Sequence, residues 1–262
     1  MGLFSFLKKE KKAEINSEKL ILGMILLKEN NSMEIDKVIS ELKEKWKFKV
    51  ENAETDNETS IIEINDYRIA IVNMPVPIPG DEVKTTAKFN YFWENGDIEA
   101  TSHKGHIILT IINGGKDPVT ENVLFTKLAT SIMNNSNALG IYIGGRTLAL
   151  EKDFYTENAE MMTDQDLPIY NWIYFGMNKE NGGNSIYSYG LADFGKLEME
   201  IVNSKHPMDE LQELMFNLTH YIVASNVILK DGETIGMSET QKLKLSITKG
   251  KYLEGKTLKI EY

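Results

Sequence analysis

Apolar positions in this chain come in short blocks whose spacing changes along the sequence. Residues Leu20–Leu27 form a run of eight, too short to span a bilayer, which reads as a buried strand. Next, Ile35, Val38, Ile39, Leu42 and Trp46 fall at i, i+3, i+4, i+7 and i+11, which is one helical face. Phe48-Lys49-Val50 reads as a strand start, and the polar stretch Glu51–Thr59 reads as a loop. Ser60–Ile64 and Tyr67–Val72 read as a hairpin turning at Asn65-Asp66. The order strand–helix–strand–strand predicts a ferredoxin-like element near the N-terminus.

The segment Pro75-Val76-Pro77-Ile78-Pro79-Gly80 interrupts regular structure, and an aromatic-rich helix is expected over Lys84–Phe92. The centre carries a strand–helix–strand unit. Its first strand is Gly105–Ile112, followed by Asn113-Gly114-Gly115 and a helix opened by Asp117-Pro118. Leu124, Phe125, Leu128 and Ile132 give that helix its apolar stripe. Ala138–Ile143 is the second strand, ending on Gly144-Gly145-Arg146. Thr147–Leu150 then leads into a helix of about Lys152 to Met162.

In the last third, Ile169–Phe175 and Ser185–Tyr189 are strand-like and flank Asn181-Gly182-Gly183-Asn184, a hairpin signal. Leu197–Val202 alternates, with Glu198 and Glu200 on one face. Pro207 starts a helix whose stripe is Leu211, Leu214, Met215, Leu218 and Ile222. Asp231-Gly232 marks a tight hairpin, and Lys242–Ile247 and Thr257–Tyr262 read as closing strands. The fold expected is α+β (mixed α/β), with sheets covered by amphipathic helices. It divides into a basic tail at 1–17, an α/β half at 18–165 and an α+β half at 166–262, packed as one unit.

Composition narrows the chemistry. Apolar residues at 42% of 262 allow a sizeable core, and a net charge of −10 disfavours nonspecific nucleic-acid binding. The absence of cysteine removes disulfides, thiol nucleophiles and Cys-ligated zinc or iron–sulfur sites. It fits a reducing compartment, and a cytoplasmic location is expected. The twelve methionines read as core filler. Leu3–Leu7 precedes Lys8, Lys9, Lys11 and Lys12. A frayed tail is the preferred reading there, with contact of residues 1–12 to an anionic membrane surface as the alternative.

No complete catalytic constellation is present, and neither a metal nor a cofactor is expected. His103 and His106 lie before and at the start of a strand, where an i, i+3 pair points to opposite faces. Asn113-Gly114-Gly115 could cradle an anion on backbone N–H groups, but lacks the patterns of nucleotide loops. Gly144-Gly145-Arg146 offers an exposed guanidinium beside flexible backbone. Asp193-Phe194-Gly195 matches the kinase magnesium tripeptide by chance, since no other kinase motif accompanies it. Tyr170, Trp172 and Tyr174 alternate onto one expected strand face opposite Tyr187 and Tyr189. Core packing is the simpler reading of these aromatics, and stacking or interface anchoring the other.

The runs Leu167–Gly176, Tyr187-Ser188-Tyr189-Gly190-Leu191, Phe194–Ile201 and Asp231–Gly236 together resemble a bacterial family known only as a domain of unknown function, number 4261. The resemblance extends upstream through His103–His106 and Ala138–Tyr142. It implies a bacterial, cytoplasmic protein and carries over no catalytic residue. The expected function is a non-catalytic module that binds another protein. The alternative is a small-molecule enzyme or sensor with a site near the central strand ends, built from His103, His106, Asn113, Arg146 and Trp172.

Overall fold

A computed structural model describes residues 20–30, 33–56, 58–180, 182–236 and 242–262. The basic tail at 1–17, and with it the membrane-contact reading of residues 1–12, lies outside the described residues. Among the described residues no helix is long and apolar enough to cross a membrane.

The architecture is α+β, built on two sheets. The first contains β1 (Ile21–Leu27), β2 (Val50–Thr55), β3 (Thr59–Ile64), β4 (Tyr67–Met74), β5 (Gly105–Ile111), β6 (Ala138–Ile143) and β7 (Leu148–Glu151). Their order is β2-β3-β4-β5-β1-β6-β7, and every neighbouring pair is antiparallel. The β3–β4 hairpin turns where expected, with Asn65 and Asp66 both at positive φ. A two-residue turn of that hand matches the right-handed strand twist.

The helix after β1 is α1 (Ile35–Glu44), with Val38 and Leu42 buried. It crosses from β1 to β2, which run parallel with three strands between them. The ferredoxin-like crossover expected here is therefore widened. The narrow form, with one intervening strand, occurs in the centre of the chain. There β5 and β6 run parallel on either side of β1, joined by α4 (Pro118–Asn134).

One face of this sheet buries Ile25, Leu27, Ile62, Ile64, Ile69, Ile71, Ile107 and Leu109 beneath α1, α4 and α5 (Lys152–Met161). The other face carries Leu26, Tyr142 and Ala149 beneath α2 (Glu82–Phe89), with α3 (Gly96–Glu99) and Trp93 beside it. The stretch read as a loop at Glu51–Thr59 contains most of β2. This edge strand is largely exposed, so no alternation of apolar residues betrays it, and pairing with β3 decides its form.

The second sheet contains β8 (Tyr174–Glu180), β9 (Gly183–Tyr189), β10 (Met199–Ser204), β11 (Thr234–Gly236), β12 (Lys242–Lys249) and β13 (Lys256–Ile260), in the order β11-β12-β13-β10-β9-β8. One face packs Ile186, Met199, Ile201, Leu245 and Leu258 with the predicted stripe of α7 (Met208–Ala224).

Two elements differ from expectation. The strand predicted over Ile169–Phe175 begins as one helical turn, α6 (Ile169–Trp172), because Asn171 turns inward to donate to the Tyr155 carbonyl at 2.9 Å. At Asp231-Gly232 the chain bends without forming the hairpin apex. Gly232 N already bonds Leu245 O and Leu245 N bonds Glu233 O, so the chain is running beside β12 before β11 begins.

Gly140 in β6 lies under the Trp93 indole. A Cβ added there would sit 2.8 Å from Trp93 Cη2 and would also press on the Leu150 carbonyl. Rigid backbone on one side leaves the ring to move. Gly140→Ala is expected to cost about 2 kcal/mol, read as a lowered urea midpoint with an unchanged slope.

Candidate functional site

The five residues singled out by sequence do not meet in one place. His103 and His106 hold the proline-rich connector between β4 and α2. That segment has few backbone donors, because three of its residues are proline. Ile78 N donates to His103 Nε2 at 2.8 Å, and His103 Nδ1 lies 2.6 Å from the Ala100 carbonyl. The Ile78 donor makes Nε2 the acceptor, so Nδ1 carries the proton and the ring is neutral. His106 Nδ1 reaches the Val76 carbonyl at 2.8 Å.

Asn113 joins the loop after β5 to the β3–β4 turn, accepting from Arg68 N at 2.7 Å and donating to Asp66 O at 2.8 Å. The glycines beside it open a turn whose donors are already occupied. Gly115 N, Lys116 N and Asp117 N all point at the carboxylate of Glu121, at 2.9, 2.7 and 3.2 Å. Asp117 caps the helix, accepting from Val119 N and Thr120 N. The helix N-terminus that could have cradled a phosphate thus holds the chain's own anion.

Arg146 is buried, not exposed as expected. Its Nε donates to Asp193 Oδ2 at 2.9 Å and its Nη1 to Asn122 Oδ1 at 2.6 Å, while the guanidinium lies 5.6 Å from the Phe194 ring centre. Trp172 is also buried. Its indole stacks on Phe194 at 5.7 Å, and Nε1 donates to Thr126 Oγ1 at 2.8 Å. Asp193-Phe194-Gly195, the tripeptide of chance kinase likeness, ends a 3₁₀ turn (Leu191–Phe194) that Gly195 caps, and its first two side chains contact Arg146 and Trp172.

Of the five, Arg146 alone lines a cleft of about 860 Å³ at the ends of β1 and β6. Leu22, Met24 and Tyr142 line it from the sheet, and Asp81, Glu82, Thr85 and Thr86 from α2. Gly144, Gly145, Arg146 and Asp193 close one end, and Leu20 lies at its mouth, 53% exposed. Tyr142 Oη donates to Glu82 Oε2 at 3.2 Å. Burial, reinforced by the Glu82 charge, raises the Tyr142 pKa, so it stays a neutral donor. Arg146 is spent on Asp193, whereas Asp81 and Glu82 have no basic partner among the described residues. The cleft is therefore acidic at its rim and apolar on the sheet side, suited to a cation with a hydrophobic body. Among the described residues no three His, Asp or Glu side chains are grouped to hold a metal.

A second surface lies on the face of the second sheet opposite α7. Gly176, Tyr187, Glu200 and Lys259 are register partners in a row across it. The Tyr187 ring covers Gly176, where a Cβ would collide with it. Tyr187 stacks on Tyr252 at 5.5 Å and meets Tyr174 edge-on at 6.3 Å. Tyr174 Oη reaches the carbonyl of Phe89, an exposed residue at the end of α2. Burial pushes the Tyr174 phenol up to about 12. Beneath the strip, Glu200 is fully buried, pairs with Lys259, and accepts from Lys251 N and Tyr252 N at 2.9 and 3.1 Å. Of the predicted aromatic face, Tyr174 and Tyr187 are on it, while the helical turn takes Tyr170 and Trp172 inward.

The cleft residues Asp81, Glu82 and Tyr142 were not singled out by sequence. An acidic pair opening a helix is an ordinary first-turn signal, and only the antiparallel placement of β6 beside β1 brings Tyr142 to it. Glu121 had a readable cue, four residues after the capping Asp117.

The family model described as Domain of unknown function (DUF4261) matches residues 187–261. No curated protein and no solved structure matches the chain.

His103 has its pKa lowered, chiefly by burial, so the folded state resists the proton that the unfolded chain accepts near its ordinary value of about 6.5. Stability then rises with pH across this window and is lost as pH falls below about 6.5. Calorimetry from pH 7.5 to 5 should show the melting temperature falling, with a shallower fall in His103→Gln. Separately, Glu121→Ala leaves three N–H groups without their acceptor and is expected to cost about 3 kcal/mol, measured by chemical denaturation.

Proposed function

We propose that this DUF4261-domain chain is a non-catalytic module that binds another protein through the open face of its second sheet. One observation carries the reading: Tyr174, Tyr187 and Tyr252 form a continuous strip on a face that α7 does not cover, continued by the exposed Phe89. Rigid, half-buried aromatics of this kind supply contact area at small entropic cost, which is why they anchor interfaces. His103, His106, Asn113, Arg146 and Trp172 are each engaged in internal bonds that hold the fold. A bacterial cytoplasm is the proposed setting, supported by the family resemblance and by a sequence without cysteine.

A second reading, a small-molecule sensor or enzyme, is favoured by the volume of the cleft and by the Tyr142–Glu82 pair within it.

The test compares wild type with a Tyr187→Ser/Tyr252→Ser variant as bait in the cell of origin, after both are shown to melt alike within a few degrees. A protein retained by wild type and depleted at least about tenfold, or ~1.4 kcal/mol, by the double substitution is the expected result. Equal capture by both baits, or no specific protein together with a metabolite carried in the cleft through purification, would overturn the reading.

A further inference from the structure

The cleft on the first sheet has an acidic rim, an apolar side and no basic group assigned to Asp81 or Glu82 among the described residues. We infer that its occupant is the chain's own N-terminal segment, residues 3–12, which folds back over the entry of β1 and docks there. The inference rests on the cleft alone and is independent of the aromatic face.

Three observations point to this occupant. The first is place. Leu20, the residue at which the described chain begins, lines the mouth of the cleft, and Ile21 and Leu22 follow along its wall. Only eight steps separate Lys12 from Leu20, a reach of about 26 Å when extended. A segment held on so short a tether faces the cleft at an effective concentration on the order of mM, so a weak intrinsic affinity is enough for occupancy.

The second is charge. Residues 3–12 carry Lys8, Lys9, Lys11 and Lys12 against the single acid Glu10, whereas the complete chain is at −10. The cleft presents Asp81, Glu82 and Asp193, of which Asp193 is shared with Arg146. Asp81 and Glu82, which have no basic partner among the described residues, are left to meet ammonium groups, and Tyr142 supports Glu82 through its hydroxyl.

The third is apolar match. Leu3, Phe4, Phe6 and Leu7 precede the lysines, and Leu22, Met24 and Ile143 line the cleft. Leu20 keeps 53% of its surface exposed at the mouth, an apolar residue that a docked segment would cover. Phenylalanine and leucine side chains fit the apolar side, and the lysines reach the rim by extending their stems. Anionic partners do not suit this cleft, since the Arg146 guanidinium in its wall is already paired with Asp193.

The absence of cysteine makes the test direct. A Ser5→Cys/Thr85→Cys pair joins the segment to the exposed cleft wall on α2. Ser5→Cys/Ser40→Cys is the reference, because α1 covers the opposite face of the same sheet. Under one mild oxidant, the first pair is expected to close its intramolecular disulfide at least about tenfold faster than the second. That advantage should shrink several-fold in a background of Asp81→Asn/Glu82→Gln, and also in 1 M salt, where the Debye length is about 3 Å. The neutralised background keeps the shapes of both side chains, and its melting temperature reports that the fold is intact. Equal closure rates for the two pairs overturn the inference. So does an advantage that survives neutralisation unchanged, which would mean proximity without docking.

Discussion

The structure depends on burying α4 between its two sheets. One side of the helix packs Leu124, Phe125, Leu128 and Ile132 on the first sheet, while Val119 and Val123 meet the core of the second. A helix covered on several sides cannot leave its polar groups to water, and three of its side chains take partners from elsewhere in the protein. Thr126 accepts from the Trp172 indole, Asn122 from Arg146, and Ser131 from the Trp46 indole. At its C-terminal end Asn134 and Asn135 both donate to Glu41 of α1. These bonds fix the helix to α1, to α6 and to the turn after β6 at defined positions, which apolar packing by itself would leave free to slide.

The same constraint accounts for the fate of Arg146. A buried guanidinium requires a carboxylate and further acceptors, and Asp193 and Asn122 supply them from the two halves of the chain. Phe194, next to Asp193, then stacks on Trp172 and closes the seam. Two residues before Trp172 on α6, Tyr170 meets Phe92 and Phe216, and Phe92 stacks on Phe154, in an aromatic contact that again joins residues from both halves of the chain. Turns are treated likewise. Glu121, Glu198 and Glu200 each accept from two or more backbone N–H groups where the chain is irregular. Burial raises the Glu198 pKa, and its bonds to Ser188, Gly190 and Ala192 oppose that rise. These three glutamates thus serve as internal acceptors for backbone N–H groups.

Most of the regular elements were legible because each has a local cause. The stripe of α7, the capping of α4 by Asp117 and the Asn65-Asp66 turn each follow from a few neighbouring residues. The exceptions share a reason. β2 is an exposed edge whose conformation comes from β3, and α6 is bent by a bond from Asn171 to a carbonyl 16 residues away. Of the candidate site, Arg146 could be named as a lone cation after a glycine pair. Its burial could not, since Asp193 and Asn122 are distant in sequence. The glycine turn at 113–115 suggested an open cradle, and only the fold of the following helix turn shows Glu121 filling it.

The sequence by itself determined the α+β class, the helices with a clear stripe, the tight β3–β4 turn and the chemistry that a chain without cysteine cannot perform. These follow from periodicity, turn stereochemistry and composition, which act over a few residues or over the whole chain at once. The tertiary structure decided the strand order, the closure of the anion cradle, the inward turn of Trp172 and the joining of Asp81, Glu82 and Tyr142 around one cleft. Those outcomes rest on pairing between segments far apart in the chain. Burial then drives most polar groups to partners that local pattern does not reveal.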